Sequence, residues 1–238
     1  MPIKLVCATT DEAVADIHDG ATVMVGGFNV GTPEDLIRAL LRKAPKNLTV
    51  ISNSTAGHRT DQYDAAKLVE AGLVRKVINS FPIWNTGVNP TLRLWREKKL
   101  EVETVAQGTL AERLRAGMAG IGGFWTPSGA GTDFAKGKEV RDFDGRQHVL
   151  EMPIKADFAL ISAHLADEMG NLFYVRAQRN FNPLMAGAAR VTIAEVDRIV
   201  SPGGIDPANV HTPGVYVRRL VVMPDPAYAR AARTASSG

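Results

Sequence analysis

Two glycines end an apolar run and lead toward a helical pattern. Thr22-Val-Met-Val25 passes into Gly26-Gly27, Gly31 follows, and Pro33 opens the next element. Such a turn aims backbone N–H groups and the positive helix end at one place, which suits a phosphate, a carboxylate or a developing oxyanion. Close packing of strand against helix would ask for the same glycines, so the turn alone names no ligand. Its spacing does exclude two phosphate loops. Gly26, Gly27 and Gly31 miss the G-x-G-x-x-G fingerprint, and Gly137-Lys138 is followed by Glu139 where a Walker loop needs Ser or Thr. His18, His58, His148, His164 and His211 are scattered, with no pair at helical ligand spacing, so no metal site is expected. Ser128 sits in Pro-Ser-Gly, a turn composition and not a nucleophile elbow. Cys7 has no recognisable activator. Glu101 and Glu103 alternate along a strand edge and Glu112 lies beside Arg113; these carboxylates are expected to be solvated or paired.

The elements that must position the turn alternate in period between about 2 and 3.6, the pattern of a layered α/β protein. The helix after Pro33 places Leu36, Ile37, Leu40 and Leu41 on one face, with Pro45 just past its end. Leu48-Thr-Val-Ile51 reads as a second buried strand. A Ser/Asn/Thr/Gly loop follows it, then a helix through Leu68 and Val69, with Gly72 at its C-cap. Val74–Ile78 and Leu100–Ala106 read as further strands, with a helix over Pro90–Lys99 between them and a short one over Thr109–Arg115. The glycine-rich stretch Gly117–Pro127 is expected to be irregular. Asp144-Gly145 between Val140–Phe143 and His148–Leu150 reads as a two-residue hairpin turn. Phe158–Ser162, Val191–Val196 and Val215–Val222 return as buried strands. The expected fold class is therefore a mostly parallel sheet with helices on both faces and a small antiparallel ribbon. Residues 1–224 form one domain in this reading and 225–238 a flexible tail.

Composition narrows the class. The 238 residues carry 28 Lys+Arg against 25 Asp+Glu, a net charge of +3 spread along the chain, which supports no nucleic-acid stripe. One cysteine excludes a disulfide framework and a Cys-rich zinc module, and points to a reducing compartment. No apolar run approaches the roughly 18 residues needed to span a bilayer, and the first residues lack a secretory layout. No membrane association and a cytoplasmic location are expected.

Several longer motifs then carry a resemblance. Asp19-Gly-Ala-Thr-Val-Met-Val-Gly-Gly-Phe28 with Gly31-Thr-Pro33 is similar to the signature of the alpha subunit of 3-oxoacid CoA-transferases. Gln107–Gly117, Gly120–Pro127, Gly129–Thr132, Ala177-Gln-Arg-Asn-Phe-Asn-Pro183 and Thr212–Tyr216 follow in the family's order, so the resemblance covers roughly residues 10 to 222. It implies the CoA-transferase-like fold, CoA as substrate with no separate cofactor, and a covalent route. A glutamate of the beta subunit, in a Glu-Asn-Gly motif, attacks the acyl-CoA carbonyl; CoA is captured on the enzyme, and an acceptor acid collects it. This chain has no Glu-Asn-Gly, and Glu168-Met-Gly-Asn171 matches an ordinary turn. The resemblance therefore implies a partner, the CoA-transferase beta subunit, in a heterotetramer.

It also implies site residues. Gln107 and Asn53 match positions lining the family's active site, where carboxamides donate to an oxyanion without titrating. Gly26, Gly27, Phe28 and Gly31 match the segment assigned to CoA. Two departures stand out. Asn29-Val30 supplies two residues where the family has three, and Ser80–Pro90 is longer than the family's Ser-His-x-Gly-x-Asn-Pro, so Phe81 and Trp84 would reshape the acyl pocket. A hydrolase of the same superfamily would share the heteromer and pass the acyl group to water. A ligand-binding effector module of the related sugar-phosphate regulators would need a DNA-binding helix-turn-helix, for which residues 1–20 are too short.

Overall fold

Alternate residues of the central strands face two different apolar cores. Val23 and Val25 pack with Leu36, Ile37 and Leu40, whereas Met24 packs with Leu110, Leu114 and Met185. Strands buried on both faces belong to a parallel sheet covered by two helical layers. The computed structural model describes residues 5–55, 62–82 and 89–224. In chain order its elements are β1 (Leu5–Cys7), α1 (Thr10–Ala13), β2 (Thr22–Val25), α2 (Glu34–Lys43), β3 (Leu48–Ser52), α3 (Ala65–Glu70), β4 (Val74–Asn79), α4 (Pro90–Arg96) and β5 (Glu101–Thr104). There follow α5 (Gln107–Ala119), β6 (Phe124–Thr126), β7 (Val140–Phe143), β8 (Arg146–Glu151), β9 (Ala156–Asp167), β10 (Leu172–Phe173), α6 (Asn182–Ala188), β11 (Ala189–Val200) and β12 (Arg219–Val222).

The large sheet runs β1-β12-β11-β9-β2-β3-β4-β5 with every neighbour parallel, and β10 adds an antiparallel partner to β9. A separate antiparallel sheet has the order β6-β8-β7. Its hairpin turns at Asp144 and Gly145, whose φ angles of +52° and +77° are those of a type I′ turn. The expected mostly parallel sheet with a small antiparallel ribbon is what is found.

Three local expectations need correction. Gly117 does not end a helix at Arg115: α5 continues to Ala119, because a side chain at Gly117 would lie 2.0 Å from the Ile154 carbonyl, and glycine lets the helix pass that close. The helix stops at Gly120, left-handed with φ +71°. Phe124–Thr126 inside the same stretch is a strand, paired with Val149–Glu151. Val215 lies outside the last strand, since Gly214–Tyr216 is a single 3-10 turn and the strand covers only Arg219–Val222. Residues 225–238, expected as a tail, lie outside the described residues.

Candidate active site

Val25 at the end of β2 pairs with Ser52 at the end of β3, so the glycine turn and Asn53 emerge side by side from one edge of the sheet. In open α/β sheets this carboxyl edge is where ligands bind. The turn is sharply folded, with φ of +90° at Gly27 and +72° at Gly31, and Phe28 N–H donates to the Val30 carbonyl at 3.1 Å. A side chain at Gly27 would lie 2.6 Å from the Thr32 backbone, which only glycine avoids. Two flanks hold the turn. On one, Phe28 stacks on Phe81 with centroids 5.7 Å apart, and Gln62 Nε2 donates to the Asn29 carbonyl at 2.6 Å. On the other, Asn180 Nδ2 donates to the Val30 carbonyl at 2.7 Å and Asn182 Nδ2 to that of Gly31 at 3.0 Å. Trp84 lies outside the described residues.

Asn53 and Gln107, far apart in sequence, meet. Asn53 is fully buried after β3, while Gln107 is the exposed first residue of α5. Gln107 Nε2 donates to Asn53 Oδ1 at 3.0 Å. That bond fixes the Asn53 amide with its oxygen toward Gln107, and the buried Nδ2 finds no acceptor among the described residues. A preoriented neutral N–H without a partner suits charge that appears only during a reaction. The support beneath is polar: Ser52 Oγ donates to the Ser54 carbonyl at 2.7 Å, Ser54 Oγ to that of Phe81 at 3.0 Å, and Asn79 Nδ2 to Thr55 Oγ1 at 2.5 Å.

Between turn and Asn53 segment lies a cavity of about 20 Å³ bordered by Gly26, Gly27, Thr32, Ser52, Ser54 and Asp64, room for one water-sized guest. Asp64 caps α3 by accepting Ala66 N–H at 2.9 Å. Burial pushes its carboxyl up to about 6, against the opposing pull of that N–H and of Lys67, and with a push from Glu34. Sequence reasoning missed Asp64.

The first turn of α2 has a partner inside the fold. Pro33 offers no side-chain cap, and Leu36 N–H donates at 2.8 Å to Oε2 of Glu195, a fully buried carboxylate on β11. The positive helix end is thus answered from inside the fold. A lone Glu inside the apolar run Val191–Val196 was the available signal.

The carboxylates set aside earlier are paired. Glu101 and Glu103 contact Lys76 at 2.8 and 3.1 Å, Glu103 also contacts Arg113 at 2.9 Å, and Glu112 contacts Arg115 at 2.7 Å. Glu168 is exposed in a turn closed by Gly170 N–H on the Asp167 carbonyl. Burial raises the Cys7 thiol, with Glu12 adding to the effect. Among the described residues no group of three or more His, Cys, Asp or Glu is placed to hold a metal ion, and no helix is long and apolar enough to cross a membrane.

The chain is similar to known proteins over most of its length. A family model described as coenzyme A transferase matches residues 7–223. The A subunit of the 3-oxoadipate CoA-transferase of Acinetobacter baylyi is 48% identical over 215 residues, 90% of this chain and 92% of that one. The A subunit of the succinyl-CoA:3-ketoacid coenzyme A transferase of Xanthomonas campestris is 47% identical over 224 residues, 93% of this chain and 90% of that one. Among solved structures, an acyl-CoA transferase from Escherichia coli O157:H7, in a thioester complex with CoA, superposes with a TM-score of 0.78 at 25% identity. The match covers 94% of this chain and 48% of that one, so this chain spans about half the length of the Escherichia coli polypeptide.

Proposed function

The chain belongs to the coenzyme A transferase family, and from that membership we propose that it is the alpha half of a cytoplasmic heterotetramer, working only with a beta subunit. The enzyme moves CoA between an acyl-CoA of the 3-oxoacyl or succinyl type and a free carboxylic acid. The substrate class follows the names of its relatives, the partner follows from their designation as one subunit of a pair, and the covalent route has a parallel in the thioester complex of the Escherichia coli protein.

In the proposed reaction the partner supplies a glutamate carboxylate that attacks the thioester carbonyl, whose electron pair moves onto oxygen. Collapse expels CoA as a thiolate and leaves an acyl-glutamyl anhydride. The thiolate then attacks the glutamyl carbonyl and releases the donor's carboxylate, which stores CoA as a glutamyl thioester. An acceptor carboxylate reverses these steps. This chain's part is to hold and to stabilise. Gly26, Gly27, Phe28 and Gly31 shape the surface met by the CoA ester, and Asn53, oriented by Gln107, donates Nδ2–H to the oxyanion. The observation that carries this reading is the Gln107–Asn53 bond, which leaves a buried amide donor without an acceptor among the described residues.

The test is to assay the chain alone and with its beta partner, with and without an acceptor acid. Activity in the pair that depends on acceptor is expected. Activity in the lone chain would overturn the reading, and acyl release to water in the pair would make the enzyme a hydrolase.

A further inference from the structure

Gly26 and Asn182, 156 positions apart in sequence, compete for one volume. A side chain built on Gly26 would place its Cβ 1.8 Å from Asn182 Oδ1 and 3.0 Å from Cγ, and the next atom, Ile161 Cγ2, is 3.4 Å away. The carboxamide of Asn182 therefore fills the space that glycine leaves. Both its N–H bonds are committed, to the Gly31 carbonyl at 3.0 Å and the Gln178 carbonyl at 2.8 Å. The residue is completely buried, and Oδ1 has no donor among the described residues. A side chain at Gly31 would in turn lie 2.5 Å from the Gln178 carbonyl, so both ends of the turn sit against the Gln178–Asn182 segment.

Asn182 is also the first residue of α6. That helix packs on α5, the element that begins at Gln107, closely enough that a side chain at Gly187 would lie 2.1 Å from Met118 Cγ. Phe181, Met185, Leu110 and Leu114 share one buried cluster between them. One short segment therefore touches the glycine turn at its start and the helix carrying Gln107 along its length. The other candidate anchor, the end of α2, is occupied by Glu195.

We propose that Asn182 is the positioning residue of the glycine turn: by occupying the space beside Gly26 and tying Gly31, it sets the turn's geometry toward the CoA ester from α6. The proposal rests on the reading of the turn as the CoA surface. It assigns Asn182 a role in affinity for the CoA-bearing substrate and none in the chemical step.

The experiment uses the assembled two-subunit enzyme with Asn182→Ala, Gly26→Ala and the double variant, read by steady-state kinetics and thermal unfolding. Asn182→Ala should raise KM for the acyl-CoA by about tenfold while kcat and the KM for the free acid stay within about threefold, the pattern of lost binding without lost chemistry. Gly26→Ala should unfold at a lower temperature than the parent or fail to assemble. Adding Asn182→Ala should restore it, because the new methyl then meets Ile161 Cγ2 at an ordinary 3.4 Å. Unchanged kinetics in Asn182→Ala, or a fall in kcat with KM unmoved, overturns the proposal; so does a double variant no more stable than Gly26→Ala. A parent enzyme without transferase activity would instead sink the functional reading. The unfolding data would then still judge the contact: rescue supports Asn182's hold on the turn, and its absence refutes it.

Discussion

Gln107 Nε2 lies 3.0 Å from Asn53 Oδ1, so an exposed residue at the start of α5 decides which way a buried amide faces. In the proposed reaction the two carboxamides therefore have different duties: Asn53 offers the donor and Gln107 orients it. Asn53→Ala should lower kcat about 100-fold, the usual effect of removing one oxyanion donor. Gln107→Glu should do nearly as much by a different route. A carboxylate at 107 would accept from Asn53 Nδ2 and turn the amide over, using up its donor. Circular dichroism and unfolding temperature should match the parent in both. Steady-state kinetics of the two-subunit enzyme checks this, and a Gln107→Glu variant with the parent's kcat would separate the pair from the reaction.

Asp64 gives the folded chain a calculable pH dependence. Its carboxyl is raised from 3.8 to about 6, so the folded state holds the proton more tightly than the unfolded one. Stability from this group is fully present below pH 3.8 and is lost as pH rises through about 6. The loss amounts to about 3 kcal/mol at 1.36 kcal/mol per unit. Asp64→Asn keeps the cap on Ala66 and removes the ionisation. It should stabilise the chain by up to about 3 kcal/mol at pH 8 and change little at pH 3.5, as urea unfolding at the two pH values would report.

Arg113 fastens the small sheet to α5. Its side chain is largely buried, contacts Glu103 at 2.9 Å and Glu151 at 3.8 Å, and donates from Nε to the Met152 carbonyl at 2.8 Å. Burial pushes the Glu103 carboxyl up, but hydrogen bonds from Arg113 and Lys76 outweigh it and hold the group below its ordinary range. That contribution is present above the unfolded value of 4.5 and is lost as pH falls through the lower folded value. Arg113→Ala should destabilise by about 1 kcal/mol at pH 7, because Glu103 loses one of two cationic partners and keeps Lys76. The deficit should shrink in acid, where Glu103 is protonated in both states. Urea unfolding from pH 7 down to pH 3 measures both effects.

The fold was legible wherever one period dominated. Thr22–Val25, Leu48–Ile51 and the helix carrying Leu36, Ile37 and Leu40 announced themselves by apolar spacing, and Asp144-Gly145 announced its turn by backbone chemistry. Gly117 misled because glycine in sequence signals a break, whereas here it permits close approach of α5 to the Ile154 carbonyl. Leu5–Cys7 escaped notice because three residues at a sheet edge, two of them exposed, carry no period. At the site, Gly26, Gly27, Asn53 and Gln107 were visible through their motifs. The division of labour proposed for Asn53 and Gln107 was not, since it depends on a hydrogen bond spanning 54 positions. Gln62 and Glu195 were hidden for the same reason: each acts on backbone brought close only by the tertiary fold. Asp64 caps its own helix locally, and what the sequence hides is its burial beside the glycine turn.

Glu195 allows a last discrimination, between a helix end that serves the substrate and one that serves the fold. Its carboxylate accepts Leu36 N–H at 2.8 Å from a fully buried position on β11. A buried N–H left without an acceptor costs about 1–3 kcal/mol. Glu195→Gln keeps an acceptor for Leu36 N–H, so its stability should stay within about 1 kcal/mol of the parent. Glu195→Ala loses the acceptor and should cost about 3 kcal/mol. Neither change should move the KM for the acyl-CoA, because in the proposed reading the CoA ester meets the glycine turn, whereas Leu36 N–H is bonded inside the fold. Denaturation and kinetics on the same preparations decide the point: a several-fold change in KM for Glu195→Gln at near-parent stability would return the α2 terminus to the binding surface.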